Sequence, residues 1–130
     1  MTSRVTEIIV DSKHPMTLAS WWAETLGYHL VQEGAEGWVA IAPWRISAEA
    51  PSEDEYRHRP QLPRIVFVPV GEAKAAKNRL HLDIWPVDRT QEQEVEALIA
   101  RGARKVDIGQ RDVSWEVLAD PEGNEFCVLE

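Results

Sequence analysis

Two residues that could do acid-base or metal chemistry occupy matching points of an internal repeat in this chain. Glu7 sits in the run Val5-Thr6-Glu7-Ile8-Ile9-Val10-Asp11, ahead of a helical pattern from Pro15 to Leu26 that stops at Gly27. His81 sits in Arg79-Leu80-His81-Leu82-Asp83-Ile84-Trp85, ahead of a second pattern from Gln91 to Arg101 that stops at Gly102. From Glu7 to Gly27 is 20 positions and from His81 to Gly102 is 21, so the copies keep register. Equivalent placement lets the two side chains converge on one site. A neutral imidazole takes a proton near pH 7, and a desolvated carboxylate has its pKa raised into a useful range. Both are also metal ligands. The plainer alternative is that His81 hydrogen-bonds Glu7 or Asp83 and only satisfies a polar strand face.

Four more residues belong to the candidate set. Asp83 shares the predicted face of His81, where it orients the imidazole or binds a cationic group, or forms an internal salt bridge with Arg64 or Arg79. Trp85 and Trp38 offer planar walls for a ligand, and such stacking is worth about 0.5 to 1.5 kcal/mol beyond burial. Trp22 and Trp115 read as core. Cys127, the lone cysteine, is either a packing residue of the last strand or a soft ligand, and no basic neighbour in sequence marks it as a lowered-pKa thiol. His14, His29 and His58 have no ligand spacing to another donor. No phosphate-binding glycine loop and no serine nucleophile elbow occurs.

The elements that must position these residues follow from periodicity. Pro15 opens the first helix, Leu18, Ala19, Trp22 and Leu26 make its apolar stripe, and Gly27 ends it. Thr90 and Gln93 form a capping box for the second helix, whose stripe is Val95, Leu98 and Ile99. Strand alternation puts Leu80, Leu82 and Ile84 under a helix and Arg79, His81, Asp83 and Trp85 on the opposite face. Likewise Ile8 and Val10 lie under the first helix while Glu7, Ile9 and Asp11 point away. Further strands are expected at Tyr28 to Gln32, Trp38 to Ala42, Arg64 to Val68, Lys105 to Ile108 and Ser114 to Ala119, with a last strand around Phe126 and Val128. Asp120-Pro121-Glu122-Gly123-Asn124 reads as a tight turn. The expectation is one domain over residues 1–130, with module one at 4–70, module two at 78–130, and an irregular loop at 43–61 that is either a lid or a passive insertion.

Composition excludes several classes. A chain of 130 residues with formal charge -8, from 14 basic and 22 acidic residues, is poorly suited to gripping a phosphate backbone. Its one dense basic cluster, Arg57-His58-Arg59, directly follows Glu53-Asp54-Glu55. No run approaches the length of a membrane span, and the first residues lack the pattern of a secretion signal. The lone cysteine agrees with a reducing compartment, so a cytoplasmic protein with neither nucleic-acid nor membrane partner is expected.

The sequence resembles the vicinal oxygen chelate superfamily, which includes glyoxalase I, extradiol dioxygenases and bleomycin-resistance proteins, and most of all its small glyoxalase-like domains. The resemblance rests on Val10-Asp11 ahead of Pro15, Leu18-Ala19-Ser20-Trp21-Trp22 with Leu26-Gly27, Asn78-Arg79-Leu80-His81-Leu82-Asp83, and Trp115 followed by Asp120-Pro121-Glu122-Gly123-Asn124-Glu125-Phe126. It implies an α+β fold of two βαβββ modules forming a curled mixed sheet around a cleft, with helices outside, often in a homodimer. Carried over by position, the four metal-ligand places fall on Glu7, Val68, His81 and Cys127. Valine cannot bind a metal, and a thiolate beside harder ligands suits zinc better than many members' iron, manganese or magnesium. Two functions follow. The first is a metal-free binding protein holding a small organic molecule in the cleft. The second is a lyase, isomerase or dioxygenase with one divalent metal (zinc, iron, manganese or nickel) on substrates with vicinal oxygens, with His81 and Glu7 as catalytic groups. A metal-free enzyme using His81 or Glu7 as base has the same sequence signature.

Overall fold

The computed structural model describes residues 3–45 and 47–130. They fall into two compact units, Met1–Glu72 and Ala73–Glu130.

In the first unit, β1 (Glu7–Ser12) leads into α1 (Pro15–Leu26), then β2 (His29–Glu33), β3 (Val39–Ala42), α2 (Glu53–His58) and β4 (Arg64–Pro69). The sheet order is β1-β4-β3-β2. β1 runs parallel to β4, and the other pairs are antiparallel. Pro15 occupies the first turn of α1, where its missing N–H is no loss. Gly27 ends the helix at φ 66, a left-handed position that a Cβ would strain. Leu18, Ala19, Trp21, Trp22 and Ala23 are buried, with Ile41, Ile65 and Phe67 in the core of the sheet. β1 alternates as expected, Ile8 and Val10 half-buried and Glu7, Ile9 and Asp11 exposed.

The segment expected to be irregular contains α2. Ser52 and Glu55 form a reciprocal capping box, Arg57 with Glu53 and Arg59 with Glu55 are i,i+4 ion pairs, and His58 Nδ1 lies 2.9 Å from Asp54 Oδ1. The acidic run and the basic cluster that follows it are thus the first and last turns of one short helix.

The second unit repeats the plan: β5 (Leu82–Ile84), α3 (Gln91–Ala100), β6 (Arg104–Lys105), β7 (Glu116–Ala119) and β8 (Glu125–Val128), in the order β5-β8-β7-β6. Again the first and last strands are parallel and the other pairs antiparallel. The capping box of Thr90 and Gln93 is present. Gln91 Nε2 donates to the carbonyls of Ser114 and Val128, tying the start of α3 to β8 and to the residues ahead of β7. The buried Asp120 carboxylate accepts the backbone N–H of Glu122 and of Asn124 and so holds the turn between those strands.

Five expectations need correction in this unit. β5 is shorter than the alternating run because residues ahead of it are held by side chains: Glu125 accepts the Asn78 N–H at 3.0 Å, and Asn78 Nδ2 donates to Asn124 Oδ1 at 2.9 Å. Leu80 is accordingly 88% exposed, not core. Trp115 is 41% exposed, just ahead of β7, and Ile99 is exposed on the outer side of α3, leaving Val95 and Leu98 as its buried stripe. β6 is only two residues long, since Asp107, Gln110 and Arg111 fold the following chain into a loop of local hydrogen bonds.

Candidate functional site

Aligning the helix-facing pair Ile65 and Phe67 of β4 with Phe126 and Val128 of β8 matches Val66 to Cys127 and Arg64 to Glu125. Through the parallel registers, Ile9 then matches Asp83, and Glu7 matches His81, which stands one residue ahead of the Leu82–Phe126 pair. In this alignment Val66 stands opposite Ile9 as Cys127 stands opposite Asp83. Val66 and Val68 alike lack a donor atom.

In the second unit, Asp83 lies directly across the β5–β8 pair from Cys127. His81 Nε2 is 3.2 Å from Asp83 Oδ1, so the aspartate partners the imidazole and not an arginine. One ligand atom from each of His81, Asp83 and Cys127 lies within 4.8 Å of the other two. His81 and Asp83 are exposed and Cys127 is buried. The Cys127 thiol is pushed up to about 11, first by burial, then by the Asp83 charge and by donating its S–H to that carboxylate, while Lys77 pulls the other way. At neutral pH it is a protonated thiol and a poor nucleophile.

The three donors fit a divalent cation. Zinc bonds of about 2.0–2.3 Å at tetrahedral angles place ligand atoms roughly 3.3–3.8 Å apart, which small side-chain rotations reach from this arrangement. A nitrogen, an oxygen and a sulfur together suit zinc over magnesium or calcium. A cation would also offset the Asp83 charge that keeps Cys127 protonated, coupling metal uptake to proton release. Beside the cluster, Lys74 Nζ pairs with Glu125 Oε1 at 2.7 Å. Burial raises the Glu125 pKa, but Lys74 and the Asn78 N–H outweigh it and hold the carboxyl below its usual range.

In the first unit, Glu7 is ion-paired with Arg64 across β1–β4, and Arg64 also donates to Gln32 Oε1 at 3.2 Å. This pair forms part of the wall of an open pocket of about 420 Å³ whose other walls include Gln32, Trp44, Glu53 and Tyr56. Trp44 and Tyr56 meet edge to face at 5.9 Å and 75°. The Tyr56 hydroxyl is buried without a hydrogen-bond partner, and burial raises its pKa.

Of the expected aromatic walls, Trp38 follows the β2–β3 turn with its indole over Gly34, where a Cβ would overlap the ring. Trp85 follows β5 and is 71% exposed. Neither lines the pocket. Trp44 and Tyr56 were not singled out from sequence. The signal that could have found them is Ser52-x-x-Glu55, a capping box that marks a helix in the loop and puts Tyr56 on it.

Two mixed sheets, each a βαβββ module with a helix on one face, define a class of protein built from paired modules. The chain belongs to the glyoxalase-like domain family, whose sequence model matches residues 7–129, and through it to the vicinal oxygen chelate superfamily. Similar solved structures include a fosfomycin resistance protein of Listeria monocytogenes (TM-score 0.66, 10% identity, covering 99% of this chain and 91% of that one). A second fosfomycin resistance protein, from Mesorhizobium loti, has TM-score 0.63 at 10% identity over 99% of this chain and 92% of the other. A glyoxalase/bleomycin resistance protein/dioxygenase family enzyme from Burkholderia phytofirmans has TM-score 0.59 at 15% identity, with 97% of each chain covered. No curated protein matches the sequence. Among the described residues, no helix is long and apolar enough to cross a membrane.

Proposed function

We propose that this chain binds a small organic molecule in the cytoplasm, as a homodimer. The observation that carries the reading is the pocket of about 420 Å³ in the first unit, walled by aromatic rings and by the Glu7–Arg64 pair. Its volume falls in the size range of small-molecule sites, and its lining combines polar and charged side chains with Val31, Trp44 and Ala50. The fosfomycin resistance proteins of similar fold handle a small organic molecule by name, which agrees. The dimer reading draws on edge strands β1, where Ile9 is exposed, and β5, which is followed by the exposed Trp85, since exposed apolar residues at an edge invite a partner.

The test is a screen of small organic compounds against untagged protein, read by tryptophan fluorescence and by thermal shift. Saturable binding of one molecule per chain is expected. A broad screen without a single saturable binder would defeat the reading.

A second reading, a metal-dependent lyase, isomerase or dioxygenase, is favoured by the cluster of His81, Asp83 and Cys127. In it those three residues would hold one divalent ion, and the ion would stabilise negative charge developing on vicinal substrate oxygens. If no metal is taken up, His81 would serve as the acid-base group of the second unit, with Asp83 and Trp85 contacting substrate. Elemental analysis of protein soaked in zinc, iron, manganese or nickel and then washed decides it: about one ion per chain, lost in His81→Ala, supports the metal enzyme, and none retires it.

A further inference from the structure

The pocket of the first unit has walls of two kinds. Glu7, Gln32 and Arg64 belong to strands β1, β2 and β4, whereas Ala50, Glu53 and Tyr56 come from α2 and the residues ahead of it. The strands are fixed: β1 and β4 pair over six residues, and Ile65, Val66 and Phe67 between them and β3 are buried. α2 is not fixed in that way. None of its residues is buried, and its capping box and ion pairs are made within the helix and its caps, so they keep it helical without holding it down. Among the described residues, the polar and ring contacts that tie it to the rest of the unit are the hydrogen bond from Arg4 Nε to the Arg57 carbonyl, at 2.9 Å, and the edge-to-face contact of Tyr56 with Trp44. Ser52 and Arg59, which bound the helix, are both extended, and the following Pro60 favours that conformation at Arg59. The helix therefore ends sharply on both sides and can swing as one body.

Closure also carries a cost at Tyr56. Its hydroxyl is hidden where neither water nor a molecule in the pocket reaches it, and no donor or acceptor meets it. A hydroxyl taken from water without gaining a partner destabilises the state that hides it, and swinging α2 outward returns it to water. Resting on the small-molecule reading above for what passes beneath it, we infer that α2 is a lid on the pocket, that it swings from the sheet as an intact helix, and that the hidden Tyr56 hydroxyl keeps it poised to open. Arg4 is its latch. A molecule enters by this movement and, once it touches both the strands and the helix, holds the lid down. The second unit has no such device, because its strands β7 and β8 are joined by the five-residue turn from Asp120 to Asn124.

Fluorine NMR of the full chain labelled with 5-fluorotryptophan tests this without any ligand. The chain has six tryptophans, and the Trp44 signal is the one lost in Trp44→Phe. Opening parts Trp44 from Tyr56, so the Trp44 signal should show exchange between two environments on the microsecond-to-millisecond scale of lid motions. Tyr56→Phe should lower the open population about tenfold, because the closed state no longer hides a hydroxyl. A tyrosine that only props the helix in place would give the opposite sign. Arg4→Ala should raise the open population about threefold, as the loss of one exposed hydrogen bond does. The other five tryptophan signals, unmoved, show both variants folded. A Trp44 signal free of exchange in the wild type and in Arg4→Ala would overturn the inference, as would an open population that Tyr56→Phe leaves unchanged or raises. Because no ligand is present, either result leaves the small-molecule reading standing; that reading falls only if the broad screen is empty.

Discussion

The two units use one topology for different chemistry. At equivalent register positions the first carries Glu7, Ile9, Arg64 and Val66, and the second carries His81, Asp83, Glu125 and Cys127. In the first, the outer polar pair is closed on itself as a salt bridge and the inner pair is apolar, which leaves nothing to ligate a cation. In the second, Glu125 is occupied by Lys74 and Asn78, and the inner pair faces His81 with a carboxylate and a thiol. The first unit adds α2 and a pocket; the second adds a cluster of donors. A duplicated βαβββ frame therefore fixes where side chains can meet, and the identity of two or three residues decides what the meeting place is for.

The comparison is most severely tested by substitutions that ought to behave alike. Phe67→Ala and Phe126→Ala remove buried rings from equivalent last strands, and each should cost about 3–5 kcal/mol in denaturant unfolding. Leu82→Ala, by contrast, truncates a half-buried residue and should cost less than about 2 kcal/mol. Equal losses at Leu82 and Phe126 would mean that β5 is covered in solution by something beyond its own unit.

Next comes the pair that ought to differ. Cys127→Ala should weaken zinc binding about 100-fold by competition with a chromophoric chelator, a ligand loss at least as large as typical outer-shell losses. Its counterpart Val66→Ala should leave zinc affinity unchanged. Because the thiol is pushed up to about 11, zinc must displace its proton at every pH below that, so apparent affinity should rise with pH by up to about tenfold per unit. A flat pH profile would remove Cys127 from the ligand set.

Much of this frame was legible in the sequence because it depends on local signals. Pro15, Gly27 and the Thr90–Gln93 box delimit helices through backbone chemistry that acts within a few residues, and the alternation of β1 follows its burial. Alternation put His81 and Asp83 on one face, but left open whether Asp83 would partner the imidazole or an arginine. What could not be read depends on contacts distant in sequence. The shortening of β5 comes from Glu125 and Asn124, more than 40 residues away. The strand-to-strand pairing within each unit was not legible either, because parallel register is not set by a turn and leaves no local mark. The pocket was missed because its aromatic walls lie in a segment without periodicity, where a six-residue helix is too short to show a stripe.

Smaller effects refine the second unit. Asp83→Asn removes one of the influences that hold the Cys127 proton, leaving burial as the largest. The thiol pKa should therefore fall only part of the way to 9.0, its ordinary value. Iodoacetamide should modify Cys127 faster in the variant at pH 8, by less than about tenfold, since each full unit of pKa is a tenfold change in thiolate. No change in rate would mean that the carboxylate does not accept the S–H.

The smallest expected effect compares the two capping boxes. Thr90→Ala removes the cap of a helix whose Val95 and Leu98 are buried, so the loss couples to the core and should appear in global unfolding as about 1 kcal/mol. Ser52→Ala removes the same kind of cap from α2, none of whose residues is buried. Such a helix can fray without unfolding the sheet beneath it, so global stability should hardly change. Amide exchange at Glu55 and Tyr56 should accelerate instead, because the Glu55 N–H loses its bond to Ser52 Oγ and the turn carrying Tyr56 loosens. A global loss equal to that of Thr90→Ala would show that α2 is part of the folding core of the first unit rather than a cover laid over it, and the contrast between the units would then be one of side chains only.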